Sequence, residues 1–139
     1  MKKIILYLAL TLVMACAKNP ESFIPHLNGY WEIDEVTLAD GSKRDYTYND
    51  TVDFLNITDN LTGFRKKLKP GFDGKYTTSD DAESLELKIE NKQLYIYYKT
   101  PYASWKETVL NATDDQLLIV NDQNIKYLYK RFEPINIEK

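Results

Sequence analysis

The sequence contains one cysteine and one histidine among 139 residues, and this scarcity excludes several classes of protein. A lone cysteine cannot form an intrachain disulfide, so the chain is not a disulfide-stapled secreted scaffold. His26 is the single histidine, which leaves only carboxylates to build a metal site. The sequence also lacks a glycine-rich phosphate loop and a nucleophile with a nearby base. We therefore expect no cofactor, no metal and no enzymatic activity.

The one long apolar run, residues 4–15, is too short to be a transmembrane helix. Such a helix needs about 20 apolar residues to cross a hydrocarbon core of about 30 Å. The run follows Lys2 and Lys3, and a basic start before a short apolar core is typical of an export signal. Residues 1–15 are therefore predicted to be a signal peptide that is removed from the mature protein.

The cysteine lies directly after this run, in the sequence VMAC at residues 13–16. This sequence resembles the bacterial lipobox, although Met14 is an uncommon residue at its position. The resemblance implies that Cys16 receives a diacylglyceryl group, becomes the first residue after cleavage and is acylated on its amine, as in palmitate-bearing lipoproteins. Two or more acyl chains give stable membrane anchoring. The alternative is a free cysteine inside an ordinary signal peptide.

The resemblance to lipoproteins also implies a location in the bacterial cell envelope. Ala17 occupies the position where an aspartate would indicate retention at the inner membrane, so the outer membrane is favoured. The net charge argues against nucleic acid as a partner, because the chain carries 18 basic and 21 acidic residues. Removal of Lys2 and Lys3 makes the mature chain still more acidic, which argues against a basic membrane-binding face.

After Cys16, the chain changes from a polar segment to a repeated alternation of apolar and polar residues. Residues 16–28 contain two prolines and little periodicity, and we interpret them as a lipidated tether. From Gly29 onward the apolar residues alternate with period two, as in SLELKIE at 84–90, which is typical of a half-buried strand. Nine strands are predicted, at residues 29–38, 51–58, 62–69, 72–79, 84–90, 93–99, 104–112, 116–122 and 125–132. Residues 134–139 are expected to be a C-terminal tail.

The spacing of these strands predicts an all-β domain over residues 29–133. Polar turns of a few residues separate them, and such short connections favour an antiparallel meander. In the strand at 51–58 the apolar alternation changes phase after Phe54, and we predict a β-bulge there. Bulges are common where sheets curve, so the pattern favours a barrel of eight to nine strands.

The sequence LNGYWEI opens the first strand and suggests how such a barrel closes. Gly29 allows the chain to pass close to a neighbouring backbone, and the large indole of Trp31 fills one end of the core. Arg131, near the end of the last strand, is expected to stack on that indole once the last strand pairs with the first.

The Gly29, Trp31 and Arg131 positions, the Asp40–Gly41 turn and the strand count together resemble the small lipocalin-like domains of bacterial lipoproteins. The resemblance covers about residues 27–133. It implies a barrel that binds one small apolar or amphipathic ligand, although a barrel of this size is equally well filled by its own side chains. The candidate cavity residues are Phe64, Tyr76, Tyr98 and Trp105.

Eleven tyrosines are many for this length, and several are clustered at residues 95–102. Tyr95 and Tyr97 alternate with Leu94 and Ile96, so they are predicted to lie on the outer face as surface contacts. Cross-strand aromatic pairing that stabilises the sheet explains the cluster better than a binding surface does. The alternative function is therefore a ligand-free accessory subunit that contacts an envelope protein through this aromatic surface.

Overall fold

The computed structural model describes residues 18–46, 51–70, 76–78 and 82–133, with the backbone alone at 70 and 76–78. The predicted signal peptide (1–15), Cys16 and the predicted tail (134–139) lie outside the described residues. In the described ranges no helix is long and apolar enough to cross a bilayer.

The described chain forms one 3-10 helix followed by strands. The helix is Pro20–His26. The strands are β1 (Gly29–Thr37), β2 (Lys43–Asp45), β3 (Val52–Ile57), β4 (Thr62–Pro70), β5 (Tyr76–Thr78), β6 (Glu83–Glu90), β7 (Gln93–Lys99), β8 (Ser104–Ala112), β9 (Gln116–Asn121) and β10 (Lys126–Arg131). Each of the nine predicted strands overlaps an observed strand, although only residues 76–78 of the strand predicted at 72–79 are described. Strand β2 was not predicted, because its three residues are exposed and show no apolar alternation.

Eight of the strands close into an antiparallel barrel. The sheet runs in the order β10-β9-β8-β7-β6-β4-β3-β1, and β10 pairs with β1 to complete the ring. The two short strands lie beside this ring, β2 against β1 and β5 against β4. The predicted all-β meander and eight- to nine-stranded barrel are thereby confirmed.

The bulge predicted near Phe54 is wrong. Strand β3 pairs with β1 and β4 in continuous register. Its phase change arises because both faces carry apolar residues: Leu55 faces the interior, whereas Val52 is buried on the other face opposite Leu68. The register shifts occur instead in β1 between Ile33 and Glu35 and in β8 between Val109 and Asn111.

The barrel interior is filled mainly by apolar side chains. Trp31, Leu94 and Ile96 are each at most 1% exposed. Burial of a side chain of this size contributes about 1.5–3 kcal/mol. The core therefore accounts for much of the stability of the barrel, and these three side chains have almost no contact with solvent.

The segment before β1 packs onto one end of the barrel. In and after the 3-10 helix, Phe23 is 6% exposed and Leu27 is fully buried, and both belong to the core cluster. The side chain of Asn19 caps the helix by accepting from the backbone N–H of Glu21. Over residues 20–28 the structure thus differs from the predicted tether, since two apolar side chains fix this stretch to the barrel. We call the end of the barrel that this segment covers the closed end.

Candidate functional site

The closed end is held by Arg131, the last residue of β10. Its guanidinium carbon lies 3.7 Å from the centroid of the Trp31 ring. The same guanidinium donates hydrogen bonds to the backbone carbonyls of His26, Asn28 and Asp114, at 2.7–2.8 Å. The indole N–H of Trp31 donates to the carbonyl of Leu27 at 2.9 Å. Arg131 therefore joins the last strand to the segment that covers the closed end.

Gly29 has the geometry that this arrangement requires. Its φ is +125°, which side chains rarely adopt, and an added Cβ would lie 2.6 Å from Nη1 of Arg131. The three residues singled out in the sequence thus come together in one structural unit at the closed end.

The far end of the barrel, where residues 100–103 join β7 to β8 and residues 122–125 join β9 to β10, has a different interior. Arg65 in β4 faces inward and pairs with two carboxylates. Its Nη2 donates to Glu83 at 2.5 Å, and its Nη1 donates to Glu107 at 3.3 Å. The side chains of Arg65 and Glu107 are only 12% and 9% exposed. We call Arg65, Glu83 and Glu107 the charged cluster.

Two further ionisable groups lie beside the charged cluster. Asp53 in β3 is 8% exposed and has the same inward orientation as Leu55. Its carboxylate lies 3.5 Å from Nζ of Lys67, whose side chain is largely exposed. In the part of the chain that the structure describes, the carboxylates of Asp53, Glu83 and Glu107 thus surround Arg65, and the exposed Lys67 lies beside Asp53.

Burial perturbs the ionisation of these groups. Burial raises the pKa of Glu107 above its usual value, although the charge of Arg65 partly offsets the effect. Burial opposes the charge of Arg65, but the surrounding acidic groups outweigh it and raise the pKa of the guanidinium. Burial also raises the pKa values of the Tyr98 and Tyr129 phenols. At neutral pH these phenols are uncharged and Arg65 is a cation.

The hydrogen bonds of the charged cluster are incomplete. Among the described residues, neither Nε of Arg65 nor Oε2 of Glu107 has a hydrogen-bond partner, and both atoms are buried. Buried polar atoms are usually paired, so these two atoms, one donor and one acceptor, lack the partners that such atoms normally have.

Two aromatic rings border the charged cluster. Tyr98 stacks on Trp105 with a centroid distance of 5.4 Å, and the guanidinium of Arg65 lies 4.2 Å from the Tyr98 centroid. A solvent-open groove of about 830 Å³ reaches these rings from the outer surface beside Phe64 and Tyr97. The groove therefore borders the two rings beside the charged cluster, although Arg65, Glu83 and Glu107 do not themselves line it.

The predicted cavity residues divide between three locations. Tyr98 is 2% exposed inside the barrel, and Trp105 packs against the same core. Phe64 is on the outer face, where its ring contacts that of Phe54, and it borders the groove that reaches Tyr98 and Trp105. It alternates with Arg65, and the sequence does not show which of the two faces inward. The side chain of Tyr76 lies outside the described residues.

Tyr95 and Tyr97 lie on the outer face and are half-buried by neighbouring lysines. Nζ of Lys106 is 4.7 Å from the Tyr95 centroid, and Nζ of Lys88 is 5.2 Å from that of Tyr97. The Tyr97 hydroxyl donates to Glu90, which raises the pKa of Tyr97. Through these contacts the two tyrosine rings stabilise the outer surface of the sheet.

Sequence reasoning missed all three members of the charged cluster. Arg65 belongs to the basic sequence FRKKLK, in which the inward residues have no apolar alternation. Its proximity to Glu83 follows from the register of β4 with β6, which pairs these two residues directly. In the described ranges, no group of three or more His, Cys, Asp or Glu side chains is arranged to hold a metal ion.

A comparison with known protein families identifies one match. The sequence model of the lipocalin-like domain family matches residues 27–119. A lipocalin-like protein from Bacteroides uniformis superposes with a TM-score of 0.48 at 13% identity, covering 77% of this chain and 99% of that chain. An uncharacterized protein from Bacteroides eggerthii superposes with a TM-score of 0.47 at 11% identity, covering 76% and 98%. No curated protein matches the sequence.

Proposed function

Since the chain belongs to the lipocalin-like domain family, we propose that it is a lipid-anchored envelope protein that binds a small amphipathic molecule at the far end of its barrel. The charged cluster is the observation that supports this proposal. Transfer of ions into a protein interior costs several kcal/mol each, and an apolar replacement of a buried ion pair is often neutral or stabilising. A function at this site accounts for charges that the stability of the barrel does not require.

The chemistry of the site favours an amphipathic ligand over a purely apolar one. The described interior is already filled around Trp31, Leu94 and Ile96. At the far end, the free donor of Arg65 and the free acceptor of Glu107 suit a head group that both accepts and donates a hydrogen bond. A hydroxyl or an amide does both, and an apolar tail has the Trp105 ring and the adjoining groove to pack against.

Anchoring through Cys16 is the second part of the proposal. The lipobox-like sequence at residues 13–16 supports diacylation of the thiol, and Ala17 supports the outer membrane. Mass spectrometry of the N-terminus of the protein isolated from bacterial cells tests this part. We expect Cys16 as the first residue, carrying diacylglyceryl and an amide-linked acyl chain. An unmodified cysteine would refute the anchoring.

Ligand binding is tested with alkyl probes that carry an environment-sensitive fluorophore on one end. Probes of equal chain length that end in a hydroxyl, an amide, a carboxylate or an amine are compared. We expect saturable fluorescence from the hydroxyl and amide probes, displaced by an unlabelled long-chain alcohol. Trp105→Ala should weaken this binding at least several-fold, whereas Tyr95→Ala, on the outer face, should not. Absence of displaceable fluorescence from all four probes would refute the proposal.

A ligand-free accessory function is the second candidate, and one residue favours it. Tyr102, between β7 and β8, is 97% exposed. Exposed tyrosines are frequent anchors of protein interfaces. A photo-crosslinking amino acid at position 102 in intact cells should then capture one specific envelope protein, and recovery of no specific partner would refute this candidate.

A further inference from the structure

The described chain begins close to the closed end of the barrel. Nζ of Lys18 donates to the side chain of Asn111 at 2.9 Å, and the helix that follows is packed on the barrel. Cys16 precedes Lys18 by two residues. Two extended residues span at most about 7 Å. The α-carbon of Cys16 is therefore within about 7 Å of that of Lys18.

The surface around Lys18 has the composition of a membrane contact. Lys18 and Lys92 border a shallow pocket of about 450 Å³, together with Phe23, Leu94 and Leu110. Leu110 is 36% exposed, although it is a large apolar residue in a strand. Lysines pair with lipid phosphates, and apolar side chains between them enter the interface.

We propose that this surface, formed by Lys18, Lys92 and Leu110, rests directly on the phospholipid bilayer when Cys16 is acylated. The inference depends on the proposed anchoring and adds an orientation to it. An anchor within about 7 Å of Lys18 leaves too little chain for the barrel to stand away from the membrane. The acyl chains hold the closed end at the lipid surface, and the contact of Lys18 and Lys92 with phosphate sets the tilt.

Acidic residues near the closed end limit the strength of this contact. Glu21, Glu90 and Asp114 lie on the helix and hairpins of the same end. They oppose attraction to anionic lipid, so the two lysines alone would not bind the unacylated domain to vesicles. The acyl chains supply the affinity, and the surface supplies the orientation.

This orientation places the charged cluster on the side away from the lipid. Strand β8 has nine residues and runs from Ser104 at the far end to Ala112 at the closed end. At about 3.3 Å per residue, its two terminal α-carbons are at most about 26 Å apart. The proposed ligand then enters from the aqueous compartment and not from the supporting bilayer.

The test uses acylated full-length protein in vesicles of phosphatidylethanolamine and phosphatidylglycerol that carry bromine on their acyl chains. Acylation blocks Cys16, so a single added cysteine accepts a fluorophore. Leu110→Cys and Lys92→Cys report on the proposed contact, and Tyr102→Cys reports on the far end. We expect bromine to quench the labels at 110 and 92 several-fold more strongly than the label at 102.

A matched control inserts about a dozen Gly and Ser residues between Ala17 and Lys18. This linker should lower the quenching at 110 to the level seen at 102. Equal quenching at all three positions of the acylated protein would overturn the orientation and leave the anchoring intact. A mass spectrum that shows no acyl group on Cys16 would overturn both.

Discussion

The guanidinium of Arg131 lies over the indole of Trp31 at 3.7 Å from the ring centroid, and it joins the last strand of the barrel to the first. Three backbone carbonyls accept hydrogen bonds from the same group: those of His26 and Asn28, in the segment before β1, and that of Asp114, between β8 and β9. One side chain thus closes the barrel and fixes the segment that covers its end.

Arg131→Lys should destabilise the domain although it keeps the positive charge. A lysine has no planar fork, so it cannot stack on Trp31 and also donate to three carbonyls. We expect a loss of about 2 kcal/mol in the free energy of unfolding, measured by urea denaturation. Lys130→Ala is the control, because Lys130 pairs with Glu32 at the surface and such pairs contribute about 0–1 kcal/mol. Equal effects of the two variants would contradict the role of Arg131.

Gly29→Ala should be more destabilising than Gly41→Ala. Both glycines have positive φ, at +125° and +88°, so both variants strain the backbone. Only at Gly29 does the new Cβ also collide with Arg131. An added Cβ at Gly41 would have no atom within 4 Å apart from its own residue and its two chain neighbours. We expect a loss of about 1 kcal/mol at Gly41 and of more than about 2 kcal/mol at Gly29. Thermal unfolding of both variants checks this order.

Glu107→Gln should change how stability depends on pH. Burial raises the pKa of Glu107 from its ordinary value of 4.5, so the folded state binds this proton more tightly than the unfolded state. The contribution of Glu107 to stability is therefore fully present below pH 4.5. It is lost as the pH rises through the pKa that Glu107 has in the folded state. As the pH rises through this range, we expect the free energy of unfolding of Glu107→Gln to increase relative to that of the wild type.

The measurement for this variant is the melting temperature across the acidic to neutral range. Glu86→Gln, on the exposed side of β6, is the control and should give a curve parallel to the wild type. A Glu107→Gln curve that falls increasingly below the wild type with rising pH would contradict the raised pKa.

Arg65→Met should lower the free energy of unfolding more than any single substitution of a carboxylate in the charged cluster. The substitution keeps the side-chain volume but leaves Glu83 and Glu107 unpaired in the interior. Removal of one partner from a buried ion pair costs about 3–5 kcal/mol. The double variant Arg65→Met with Glu107→Leu should recover part of this loss in chemical denaturation, and no recovery would argue against the coupling of the two residues.

The sequence predicts the barrel well, because most strands have one buried face. In β6, Leu85 and Leu87 alternate with exposed Glu86 and Lys88, and the predicted boundaries agree with the observed ones within about a residue. Strand β3 misleads the same reasoning, since Val52 is buried on the face opposite to Leu55. Periodicity reports which residues alternate, and it cannot report burial on the outer side of a sheet.

The two ends of the barrel were predictable to different degrees. Gly29, Trp31 and Arg131 form a recognisable pattern, because each residue type has a distinct steric or electronic role. The charged cluster depends on which residues of β4, β6 and β8 face one another. That register is set by the closure of the whole barrel, so local sequence does not reveal that Arg65 meets Glu107.

The pairing of β1 with β10 has a consequence for folding kinetics. The barrel closes only when its first and last strands meet, so its final contacts have nearly the largest sequence separation in the domain. Domains dominated by such contacts fold in milliseconds to seconds, orders of magnitude more slowly than helical bundles. During synthesis the ring stays unclosed until Arg131 has left the ribosome.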